Sequence, residues 1–120
     1  MNARMLFNAS AAIEFLTGIG LFVAPAAAAG LLPGDGLNES GLAVTRILGI
    51  GLLSLGVSTW ELADVPVRNT TRIGLTTYNL GAAAFLSVIG LSGATVGTML
   101  WPAFGLHALI GAAMLFILFK

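Results

Sequence analysis

The chain has no cysteine, one histidine, one tyrosine and only 8% charged residues. Without cysteine there are no disulfides, thiolate metal sites, iron–sulfur clusters or cysteine nucleophiles. A lone histidine makes no metal centre, and no His/Asp/Glu group stands at ligand spacing. The charge deficit excludes more. A soluble domain typically carries about 25% charged residues, so a chain with 8% cannot build a water-facing shell. Five basic and five acidic residues cancel, and no basic cluster is present to attract nucleic acid. A nucleophile elbow, a Gly-rich phosphate loop and a paired-histidine zinc helix are also missing. No enzyme, no cofactor and no nucleic-acid partner is expected.

What is there is apolar: 58% of the residues are hydrophobic and the mean hydropathy is +1.00. The 120 residues allow one domain. Four apolar stretches stand out, at about 9–32, 40–62, 70–91 and 96–119. At ~1.5 Å per helical residue each can cross a hydrocarbon core of ~30 Å. Barrel strands would be about ten residues long and alternate in polarity, which these do not. The predicted fold is all-α: one domain over residues 1–120, an up-and-down bundle of four transmembrane helices with short loops. A secretory signal is mimicked by Arg4, the apolar run after it and Ala26 to Ala29. Glu14 interrupts that run, so the first stretch is expected to be a true span.

Breakers mark the connections. They are Pro33-Gly34-Asp35-Gly36, then Ala63 to Arg68 with Asp64 and Pro66, then Ser92-Gly93-Ala94. Asn38 or Ser40 is predicted to cap the second span and Asn69 or Thr70 the third. Pro102 falls in the first turn of the fourth, where its missing N–H costs little. Arg4, Arg68, Arg72 and Lys120 lie on the side of the termini and middle connector, whereas the other side has Asp35 and Glu39. This predicts both termini in the cytoplasm of a bacterial inner membrane, with Trp60 and Trp101 as anchors at opposite faces. Small residues repeat at helical spacing in Gly49 and Gly56, Gly74 and Gly81, and Gly105, Ala108 and Ala112. They predict close packing within the bundle or a dimer face.

A carboxylate inside a span is rare and costly, so Glu14 marks a place where function would sit. Counting from the turns puts it level with Val57 and Ser58, with Thr76 to Asn79, and within about two turns of His107. Ser54, Ser58, Thr17, Thr77, Tyr78 and Asn79 would complete a polar belt, with Tyr78 or Asn79 bonding the carboxyl. One reading is a proton- or cation-binding site. The other is a protonated clamp between the first and third spans, or a side chain reaching for the nearer membrane face. Arg46 is ~15 Å of depth from Glu14 and leans toward Asp35 and Glu39, as an anchor or a contact for an anionic headgroup. His107 could pack through a hydrogen bond, relay protons with Tyr78 or Glu14, or contact a quinone.

Two resemblances follow from these residues. Glu14 in the first of four short spans is similar to the small multidrug resistance transporters, which implies an antiparallel dimer exchanging protons for a cationic drug. The aromatic and glycine motifs of that family's later helices are not present here, and the Lys/Arg bias departs from a dual-topology dimer. Glu14 to Gly18 with Pro25, and Arg46-Ile47-Leu48-Gly49 to Leu55-Gly56, resemble the DoxX-like small bacterial four-helix membrane proteins. That likeness implies a fold more than an activity. The expected function is non-enzymatic. The protein would act through helix–helix contacts, as an accessory subunit of a membrane complex or as a homo-oligomer binding lipid or an apolar ligand. The alternatives are a proton-coupled transporter or channel at Glu14, and a quinone or lipid site at His107 and Arg46.

Overall fold

Proline ends the first helix early. Pro25 has no N–H to donate and disfavours helical backbone in the residue before it, and Ala24 duly sits at φ −132°, ψ 59°. In the computed structural model the expected first span is therefore two elements, α1 (Ala3–Val23) and a short α2 (Pro25–Leu31). The structure describes residues 2–32, 36–62, 65, 68–93 and 95–120. The expected turn residues Pro33, Gly34 and Asp35, the connector residues Asp64 and Pro66, and Ala94 lie outside them.

The remaining helices are α3 (Glu39–Thr59), α4 (Asn69–Leu91) and α5 (Leu100–Leu118). Asn38 caps α3, its side chain accepting from the Gly41 N–H at 2.8 Å. The expected side-chain cap of α4 is not formed: Arg68 holds the cap position, and Asn69 and Thr70 are already helical. Helix α5 starts four residues later than the apolar run suggests, because residues 97–99 are used otherwise. Gly97 and Met99 donate their N–H groups to the carbonyls of Leu32 and Leu31 at 3.0 and 2.9 Å, tying this segment to the end of α2. Pro102 lies in the first turn of α5, as expected. The described residues contain no strand, and α1, α3, α4 and α5 are each long and apolar enough to cross a membrane.

These four helices pack as two tight pairs, α1 on α3 and α4 on α5, with a sparser seam between the pairs. Glycine sets the first pair. A Cβ on Gly18 would lie 2.7 Å from the Gly49 carbonyl oxygen, and one on Gly56 would lie 2.7 Å from that of Ala11. The backbones touch there because no side chain intervenes. The other small-residue stripe is different: nothing lies within 4 Å of a Cβ placed on Gly74, Gly81 or Gly105.

One end of the seam is clamped. Asn8 of α1 holds both backbone groups of Glu61, donating to its carbonyl at 2.9 Å and accepting from its N–H at 2.7 Å. The Glu61 carboxylate takes a two-pronged bond from Arg72 of α4, at 2.5 Å from Nε and 2.8 Å from Nη2. Arg72 in turn lies over the Phe7 ring, 5.2 Å from its centroid. Behind this clamp Leu6, Phe7, Leu75 and Met114 form the buried core. The core thus fills one half of the bundle, and the functional residues lie beyond it.

Candidate functional site

Moving along α1 from the core, the inward positions are Phe7, Ser10, Glu14 and then Gly18 and Leu21, at the spacing of one helix face, while Thr17 is exposed. The next layer after the core is polar. Ser10, Glu14 and Asn79 are all buried, Glu14 to 1% exposure. Asn79 of α4 organises the layer. Its amide nitrogen donates to Ser10 Oγ and to the Leu75 carbonyl, both at 3.0 Å. A carbonyl can only accept, so the amide orientation is fixed and the Asn79 oxygen faces His107 Nδ1 at 3.0 Å. In its neutral form His107 therefore carries its one proton on Nδ1. Tyr78 meets the same ring edge to face, with centroids 5.8 Å apart.

Glu14 stands apart from this network although it lies inside it. Its Oε1 is 3.9 Å from His107 Nδ1, beyond a hydrogen bond. Among the described residues its two carboxyl oxygens are the only sealed side-chain polar atoms with no hydrogen-bond partner. The Tyr78 side chain adjoins the carboxyl without meeting hydrogen-bond geometry. Of the two expected partners, Asn79 does not bond the carboxyl, since it spends its amide on Ser10, Leu75 and His107 instead, and Tyr78 is the side chain placed beside it. Nor does Glu14 reach for a membrane face, since burial to 1% exposure holds it in the interior.

Past the polar layer, the seam opens into a cavity of about 450 Å³. Tyr78 and His107 lie at its polar end with Thr17; Leu21, Leu52, Ala82, Leu86 and Ala103 wall it, and Ala28, Ala29 and Leu32 of the α2 region cover it. Among the described residues Thr45 adds the one other polar side chain to the lining. A larger crevice of about 540 Å³ on the outside of the α1–α3 pair is lined by Phe15, Leu16, Val57 and Trp60 among others, and among the described residues the Trp60 indole N–H is its only polar side-chain group.

The structure thus brings Glu14, Tyr78, Asn79 and His107 together and leaves Arg46 out. Arg46 is exposed on α3, has no ion-pair partner among the described residues, and does not line the cavity although Thr45 beside it does. Its expected neighbour Asp35 is outside the described residues. The wider polar belt does not converge either. Ser54, Ser58 and Thr77 face outward, and the two serines bond carbonyls of their own helix. Ser10 is the residue that sequence reasoning passed over. Its signal was its place four residues before Glu14, on the same helix face. Among the described residues no group of three or more His, Asp or Glu side chains could hold a metal ion. No family model matches the chain, and neither a curated protein nor a solved structure matches it.

Proposed function

We propose that this is a membrane protein that binds a small, largely apolar molecule within the bilayer, in the cavity between the two helix pairs. The observation that carries the reading is the cavity's construction. An apolar chamber of about 450 Å³ ends on Tyr78 and His107, directly above a buried carboxyl with no partner. Ligand sites are commonly apolar chambers of this size class with a few convergent polar groups. An unsatisfied carboxyl in hydrocarbon is expensive, and its retention points to use. The fold would sit in a bacterial inner membrane with both termini cytoplasmic, following the Lys/Arg asymmetry. The exposed glycines Gly74 and Gly81, and the half-buried Gly105, leave room for a second copy or a partner helix, but the ligand chamber lies within one chain.

The test is to identify what small molecules the protein retains on purification, in wild type and in Ala82→Phe, which fills the chamber. Molecules enriched on wild type and missing from the variant support the reading. An identical set on both would reject it. A second reading, proton-coupled transport, is favoured by the same unpaired Glu14. It requires that ligand addition release protons from the wild type and not from Glu14→Gln.

A further inference from the structure

The polar end of the chamber restricts what can bind there. Asn79 is fully committed: both its amide protons are donated, to Ser10 and to Leu75. Its oxygen then takes the His107 Nδ1 proton. The remaining ring nitrogen, Nε2, is left with a lone pair and no proton. Nε2 has no hydrogen-bond partner among the described residues, yet it is not among the sealed atoms without a partner, which among those residues are the two Glu14 oxygens. His107 itself lines the chamber. An acceptor therefore opens into an apolar space, set in position by a relay of three side chains from three helices.

From this we infer that the chamber takes a neutral, lipophilic molecule bearing a hydroxyl, whose O–H donates to His107 Nε2. The inference rests on the chamber being a ligand site. A head group with acceptors only, such as an ether or a ketone, can accept from the Tyr78 hydroxyl but leaves the His107 Nε2 lone pair unanswered. An ammonium would donate well, but among the described residues the acidic side chain beside His107, Glu14, is buried and does not line the chamber. Its charge would stand uncompensated in apolar surroundings. A hydroxyl meets both conditions. The rest of the molecule is apolar, since among the described residues Thr17, Thr45, Tyr78 and His107 are the only polar ones in the lining.

The experiment uses the full chain in lipid nanodiscs and three matched probes: 4-hexylphenol, 4-hexylanisole and 4-hexylbenzylamine. Affinities are referred to probe concentration in the lipid, which removes differences in partitioning. Because the chain has one histidine, ¹⁵N-histidine labelling reads that ring alone. The expected result is that the phenol binds roughly tenfold or more tightly than the anisole, the worth of one hydrogen bond in such a site. Binding is lost in Ala82→Phe, and the Nε2 resonance moves on binding while Nδ1 keeps its proton. Ala103→Phe, also lining the chamber, replaces Ala82→Phe if that variant does not fold. If phenol and anisole bind alike and both are lost in the filled variant, the hydroxyl inference is overturned while the chamber stands as a site. An amine that outcompetes the phenol, or an empty-state spectrum with the proton on Nε2, overturns it too. If no probe binds, or filling the chamber changes nothing, both the inference and the ligand-site reading fall.

Discussion

Glu14→Met should make the protein more stable. The Glu14 side chain is 1% exposed, and neither carboxyl oxygen has a hydrogen-bond partner among the described residues. A buried polar group left unbonded costs about 1–3 kcal/mol by mutational measures. Methionine has a similar length and volume and removes the polar atoms, so little new strain is added. Relief of that penalty gives an expected gain of about 1–3 kcal/mol. Glu14→Gln is the control, since its amide would be as poorly served as the carboxyl and should recover little of the gain. The assay is reversible unfolding in mixed micelles by a denaturing detergent, at one pH, for wild type and both variants. The clamp hypothesis predicts the opposite sign. A loss of ~1 kcal/mol or more in Glu14→Met, of the size of a lost hydrogen bond, would refute the reasoning and make Glu14 a structural tie between helices. A gain in stability together with lost ligand retention would mean that the carboxyl is kept for function at a cost to the fold.

Other substitutions test other parts of the bundle. Gly18→Ala and Gly56→Ala drive a Cβ to 2.7 Å from a facing backbone oxygen and should each cost about 1–3 kcal/mol. Gly74→Ala and Gly81→Ala meet nothing within 4 Å and should be neutral or stabilising in the same unfolding assay; equal losses in both sets would discredit the helix-pair description. Arg72→Ala strands the Glu61 carboxylate, which is 4% exposed, and should cost about 3 kcal/mol, much of it recovered in the double variant with Glu61→Ala; a double variant no better than Arg72→Ala would contradict the pairing. Asn79→Leu removes the acceptor that holds the His107 proton on Nδ1, so the histidine ¹⁵N spectrum should change from one tautomer to a mixture, and an unchanged spectrum would mean that Asn79 does not set it.

The four-helix architecture could be read from composition and from where the breakers stand. Hydrocarbon as solvent demands helices of a certain length, and the Gly/Pro-rich connectors left little freedom in placing their ends. The errors fell where a local rule competed with hydropathy. Pro25 cut the first apolar run in two, and Gly97 and Met99 were drawn out of the fourth to bond the end of α2. Depth can be counted too, which is why the spacing groups Glu14, Asn79 and His107. Direction around each helix cannot. A helix apolar on all sides has no polar face to orient it, so Ser54, Ser58 and Thr77 were assigned inward and in fact face out. The same blindness hid Ser10. Which partner Asn79 chooses depends on ångström-scale distances among α1, α4 and α5, and no spacing rule encodes those.

The division into two tight pairs has a mechanical consequence. Each pair behaves as a stiff blade, and the blades are tied at one end by the Asn8, Glu61 and Arg72 contacts and toward the other by the bonds of Gly97 and Met99 to Leu32 and Leu31. The chamber lies between the two ties. Lateral pressure from the bilayer then acts on this seam as on a bow held at both tips, changing the gap between the blades before it disturbs either blade. The volume open to a ligand becomes a property of the membrane as well as of the chain.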